Sequence, residues 1–221
     1  MNVNRIAPCA VALVLAACGS NDNGGPGAGT TGVTGTVAGV PFSAREAISA
    51  VVPPTTCTVS GFSVSVAGLV IGVSDFTGTC SLVQNACSAK ASAQGVIVAL
   101  ANVVPAAAGP AQPVGPGTYA VSPISSPSLS TRQAFAKLAR TDPGCHPVTS
   151  VPAVTGGTVT LTSASGTPAA GELSLTFSDG STLAGPFTST ACAAPPVDVC
   201  SATIGGFGDG SACTGSPVCQ P

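Results

Sequence analysis

The chain has 221 residues, with 6 Lys+Arg against 8 Asp+Glu, a single His and a formal net charge of −2. Without clustered Lys and Arg there is no electrostatic footprint for nucleic acid, so a nucleic-acid partner is excluded. Charged residues make up 6% of the chain against about 25% in ordinary soluble domains, which leaves the surface to Ser, Thr, Gly, Asn and Gln.

The first seventeen residues set the compartment. Met1 to Arg5 is short and carries one basic side chain, and Ile6 to Ala17 is apolar apart from Pro8 and Cys9. This is the n-region and h-region of an export signal. Twelve helical residues rise ~18 Å at ~1.5 Å each, short of the ~30 Å hydrocarbon core. The segment exports the chain and does not span a bilayer. Losing Arg5 with it leaves 5 Lys+Arg against 8 Asp+Glu, a net charge of −3.

Leu15-Ala16-Ala17-Cys18 closes that segment. It resembles the lipobox of bacterial lipoproteins: Leu, two small residues, then Cys. The resemblance implies cleavage before Cys18, a thioether-linked diacylglycerol on its sulfur and acylation of the new amine. One acyl chain binds membranes marginally, whereas each buried methylene adds ~0.8 kcal/mol, so two or three chains anchor stably. In such lipoproteins Asp after the cysteine means inner-membrane retention. Gly19 therefore implies the outer membrane, with its periplasmic or cell-surface face left open.

Residues 18–32 read as a lipid-anchored, Gly-rich tether. The fourteen residues after Cys18 keep the body within ~20 Å of the membrane on average. Gly27-Ala28-Gly29-Thr30-Thr31-Gly32 matches the GxGxxG pattern. No strand precedes it and no helix follows, so it fails as a dinucleotide site.

From 33 to 191 the pattern is β. Strands are expected near 33–39, 46–53, 60–74, 95–104 and 118–122. In the third, the apolar positions Phe62, Val64 and Val66 change phase to Leu69, Ile71 and Val73, which puts a bulge or turn at Ala67-Gly68. The apolar run 96–108 contains Asn102 and Pro105 and is too short to cross a bilayer as a helix. Residues 106–117, with Pro110, Pro113 and Pro116, read as a rigid extended loop. Thr131 to Arg140 fits a helical face or a strand. Its short length and its neighbours favour a strand.

Val159 and Leu161 alternate with Thr158, Thr160 and Thr162, and Leu173, Leu175 and Phe177 alternate with Glu172, Ser174 and Thr176. After Asp179-Gly180 the alternation resumes at Leu183, Gly185 and Phe187. A two-residue turn would turn Leu183 to the polar face. A three-residue turn, Ser178-Asp179-Gly180, pairs Leu175 with Leu183 and Leu173 with Gly185, and puts Gly180 at the left-handed position. About eight strands imply an all-β fold, a single antiparallel β-sandwich or barrel, with a Cys-rich, loop-rich tail from 192 to 221.

Eight cysteines remain after Cys9 and Cys18: Cys57, Cys80, Cys87, Cys145, Cys192, Cys200, Cys213 and Cys219. An even number in an exported chain reads as four disulfides, among 105 possible pairings. If Cys145 pairs with Cys192, three cysteines remain on each side, and at least one further bridge must join body to tail. No CxxC occurs, so a zinc or redox site is not expected, nor any other cofactor.

The chemistry-bearing residues are sparse. His146, four residues beyond Asp142, is the one candidate general base for a hydrolase, but no GxSxG elbow is present. Glu46 and Glu172 are the only glutamates available as a carboxylate pair, and Glu172 falls on the solvent face of its strand. Asp209, in Gly-Asp-Gly-Ser, is one acid where calcium takes six to eight oxygens. Tyr119 and seven Phe are a thin supply of sugar-binding platforms.

Gly35-Thr36-Val37-Ala38-Gly39-Val40-Pro41-Phe42, Arg45-Glu46-Ala47, Pro116-Gly117-Thr118-Tyr119, Gly156-Gly157-Thr158-Val159-Thr160-Leu161 and Phe177-Ser178-Asp179-Gly180 through Gly185-Pro186-Phe187 to Cys192 form a second set of motifs. They resemble a group of small β-rich bacterial lipoproteins of unassigned function. The likeness spans most of 33–192, rests on turns and strands, and brings no catalytic set. The expected role is a non-enzymatic, lipid-anchored envelope module, structural, adhesive or binding, with its protein or polysaccharide partner open. A hydrolase using His146 and a barrel carrying a small apolar ligand are the alternatives.

Overall fold

The structure is a computed structural model that describes residues 29–59, 61–85, 88–123, 131–164, 168–193 and 218–220. Cys18, Cys87, Cys200, Cys213 and Asp209 lie outside the described residues. The strands are β1 Thr34–Val37, β2 Val40–Ser43, β3 Glu46–Val59, β4 Phe62–Ser74, β5 Ser88–Lys90, β6 Gln94–Pro105 and β7 Gly117–Ala120. They continue with β8 Arg132–Arg140, β9 Val154–Ser163, β10 Ala170–Phe177, β11 Thr182–Thr188, β12 Thr190–Ala191 and β13 Val218–Gln220. One short helix, α1, spans Thr79–Gln84.

Two sheets pack face to face. The first has the order β2-β1-β11-β10-β9-β7 and the second β12-β3-β4-β6-β8, with β13 and β5 forming a separate two-stranded pair. The sheets are open, so the fold is a β-sandwich, and nearly all its pairings are antiparallel. Between the layers lie Val37, Phe42, Leu173, Leu175, Phe177, Leu183 and Phe187 of the first sheet against Leu69, Ile71, Val73, Val96, Val98, Leu100 and Leu138 of the second. These side chains follow from period-2 alternation, which sends every second residue to the inner face. Tyr119 fills the same layer and its hydroxyl donates to the Gly115 carbonyl at 2.8 Å.

The turn between β10 and β11 has the three-residue form expected. Leu175 faces Leu183, Leu173 faces Gly185, and Gly180 takes φ +80°. Residues 132–140 form a strand, as expected, at the edge of the second sheet.

The phase change of β4 is a change of buried face: Leu69, Ile71 and Val73 face the sandwich core, whereas Val64 and Val66 face the opposite side with Cys57 and Ala101. β4 pairs with β6 without interruption from Val64 to Ser74. The irregularity lies in β3, where Val52 faces Gly68 and Thr55 faces Val66, so that Pro53 and Pro54 stand opposite Ala67. Two residues against one is a β-bulge. The strand expected to stop at 53 therefore runs on to Val59. Beyond Ser49 the ladder of β12 has ended, and a proline that needs no partner for its missing N–H is tolerated there.

Some elements were not expected. α1 is held by Glu46, whose Oε2 accepts the Thr79 N–H at 2.7 Å. Thr30 to Gly32, read as the end of the tether, lie along β11: Thr188 N–H donates to Thr30 O at 2.7 Å and Gly32 N–H to Pro186 O at 2.8 Å.

The outer faces of the two sheets differ. Thr34, Thr36, Thr118, Thr158, Ser174, Thr176 and Thr182 are exposed on the first, with Glu172 as the charge among them. On the second, Cys57, Val66 and Ala101 are buried on the side turned away from the sandwich core, with Val64 and Val103 packed against them. Burial on both faces is why β6 reads as one apolar run instead of alternating.

Polar contacts tie the layers at two places. Gln94 of β6 donates through Nε2 to Pro41 O at 3.1 Å, and its Oε1 accepts from Arg140 Nη2 at 2.8 Å and Nε at 3.2 Å. Arg140 also donates to Val37 O at 3.2 Å. Elsewhere the buried Ser189 Oγ lies 2.8 Å from Ser49 Oγ and accepts the Ala169 N–H at 3.0 Å.

Candidate functional site

The chemistry-bearing residues gather most densely at the corner where the chain leaves β8. Thr141 continues the edge, donating its N–H to Ala93 O and accepting the Ala93 N–H on its hydroxyl. Asp142-Pro143-Gly144 then turns the chain. Asp142 Oδ1 accepts the backbone N–H groups of Gly144 and His146, each at 2.8 Å. This is the side-chain-to-backbone turn that Asp before Pro-Gly favours. The same oxygen lies 3.4 Å from His146 Nδ1. The His146 N–H foremost, then that of Gly144 and the nearby imidazole, holds the Asp142 carboxyl below the usual carboxylate range.

A carboxylate beside Nδ1 with the far ring nitrogen outward is half of a hydrolytic triad. The other requirements are a nucleophile and a dry site. His146 is 80% exposed, and no described contact brings a hydroxyl to its ring. The pair thus works as a turn stabiliser in water, where an exposed charge pair contributes little.

Two disulfides are described, and both join the sandwich to later parts of the chain. Cys80 of α1 is bonded to Cys192, and Cys145 to Cys219 of β13. Cys57 is also disulfide-bonded. The pairing of Cys145 with Cys192, considered from sequence as one case, does not occur. Cys145 takes φ +63°, a left-handed conformation rare without glycine. Parallel pairing of β13 with β5, Val218 to Ser88 through Gln220 to Lys90, completes the corner.

The remaining candidates are dispersed. Glu46 is buried under α1 in the second sheet, and Glu172 points to solvent from the outer face of the first, as expected from its alternation. They do not form a carboxylate pair. Among the described residues no group of three or more His, Cys, Asp or Glu could hold a metal ion. Nor, among them, is any helix long and apolar enough to cross a membrane. A shallow, open cleft lies between residues 30–32 and Pro186, Phe187 and Thr188, with no titratable side chain in its lining. Sequence reasoning found the Asp142–His146 spacing. It could not find Cys219 as the partner that closes the same corner, because a three-residue strand carries no period. No protein-family model matches this chain, and neither a curated protein nor a solved structure matches it.

Proposed function

We propose that the chain is a lipid-anchored lipoprotein of the bacterial outer membrane whose disulfide-braced sandwich serves as a structural, adhesive or binding module. The observation that carries this reading is the contrast between interior and surface. The interior is filled by side chains such as Val37, Leu175, Leu183 and Tyr119, all fully buried, while one broad outer face is an exposed plane of Thr and Ser. Such a body offers a broad surface, and its described interior is filled by side chains. The Leu-Ala-Ala-Cys18 sequence supplies the anchor.

The test is an intact mass of the protein extracted from membranes, with Cys18→Ser in parallel. A chain starting at Cys18 with acyl mass, and release of the variant from the membrane fraction, support the reading. A chain starting elsewhere without lipid, or a variant that stays in the membrane, refutes the anchor. A hydrolase is the second reading, and the Asp142–His146 contact is what favours it. Loss of a hydrolytic activity in a folded His146→Ala protein would establish it in place of the first.

A further inference from the structure

The two described bridges sit in unlike surroundings. Cys192 is 5% exposed, and its N–H donates to Ser49 O at 2.7 Å, directly after β12 has paired with β3. Ser189, three residues earlier, is buried in the contact with Ser49 and Ala169. That segment stays in place by backbone pairing whether or not its disulfide exists.

Each bridge has one buried cysteine, but the partner of Cys192 is the half-buried Cys80, whereas the partner of Cys145 stands on an exposed strand. All three residues of β13 are exposed, Cys219 among them. Besides the disulfide, β13 is held by a three-residue parallel ladder and by the Ala91 N–H donated to Gln220 O at 2.9 Å. Cys145 is 2% exposed and stands in the left-handed region, within the turn built by Asp142. Its Sγ lies 3.4 Å from Ala89 O, so a thiol formed there has an acceptor waiting and its burial is tolerated.

We propose that Cys145–Cys219 is a reducible clasp, opened by a dithiol under conditions that leave Cys80–Cys192 closed and the sandwich folded. The thiolate of the dithiol attacks Sγ of Cys219. The S–S bond breaks, and its electron pair leaves on Sγ of Cys145, which takes a proton. The second thiol of the reagent then attacks the mixed disulfide and expels Cys219 as a thiolate, which is protonated. One disulfide becomes two thiols while the dithiol becomes a disulfide, a two-electron, two-proton exchange.

The experiment uses the full-length protein under native conditions, treated with graded dithiothreitol, quenched with iodoacetamide and mapped by tandem mass spectrometry. Circular dichroism is followed on the same samples. Cys145 and Cys219 should be alkylated together, at about tenfold lower dithiothreitol than Cys80 and Cys192, with the β spectrum unchanged. Alkylation of Cys80 and Cys192 first, or of all four together with loss of the β spectrum, would overturn the proposal.

Discussion

Replacing Gln94 with alanine removes the side chain that joins the two sheets at one end of the sandwich. Its amide donates to Pro41 O in the first sheet and accepts two N–H groups of Arg140 in the second. Gln94 is buried but Pro41 is exposed, so water replaces part of what the Pro41 carbonyl loses. A fully stranded group costs ~1–3 kcal/mol. Arg140 is half-buried and keeps Val37 O as an acceptor, so water and that carbonyl recover part of its loss. The sum is a destabilisation of ~1–3 kcal/mol. For a domain of this size that lowers Tm by ~2–12 °C. Urea unfolding with disulfides intact measures it, provided the transition is two-state. A double-mutant cycle with Arg140→Ala separates the Gln94–Arg140 contact from the Pro41 contact, with a coupling of ~1.5–3 kcal/mol expected for a bond to a charged donor. A loss below ~0.5 kcal/mol for Gln94→Ala would mean that this contact does not hold the sheets together, and the clamp argument would fail.

Gly157→Ala should be severe, because φ there is +135° and a Cβ would stand 2.1 Å from Ser174 O and 2.9 Å from Leu175 Cα. Strain and overpacking together come to ~2–5 kcal/mol. The neighbouring Gly156→Ala, whose Cβ would meet nothing within 4 Å, should leave the urea midpoint almost unchanged. Equal effects of the two would refute the assignment. Asp179 predicts a pH dependence. Its carboxyl is held below the usual range by the Ser181 hydroxyl first, then by the N–H groups of Ser181 and Ala38. A depressed folded-state pKa contributes stability above the unfolded value and loses it as pH falls through the folded value. Below about pH 4 the wild-type Tm should therefore fall more steeply than that of Asp179→Asn, and parallel acid profiles would contradict this.

The β10–β11 hairpin was legible because its two alternations conflict unless the turn has three residues. A single pattern of in and out side chains can choose a register in that way. The bulge shows the limit of such reading. The phase change in β4 is visible in its residues, yet it marks apolar burial on both faces of an uninterrupted strand, and the bulge lies in the partner strand at Pro53-Pro54. The strand expected over 46–53 runs on to Val59, and the topology, with β12 paired only to Ile48 and Ser49, shows why the prolines beyond are tolerated. α1 was hidden because six residues are too few to display a helical period, and it depends on a carboxylate 33 residues earlier. The cysteine pairings were out of reach in principle, since separations of 112 and 74 residues are set by the packed fold. At the candidate site, the spacing of Asp142 and His146 was visible, but their exposure was not.

The hydroxyl-rich outer face has a consequence for how any contact made there would respond to its medium. Thr34, Thr36, Thr118, Thr158, Ser174, Thr176 and Thr182 present methyl groups and neutral hydroxyls, and Glu172 is the charge among them. Dissolved ions weaken attractions between charges over a Debye length of about 8–10 Å, and here they find almost nothing to weaken. A contact on this plane would keep its strength from fresh water to brine and across the neutral pH range, where a surface built on Lys and Glu would not.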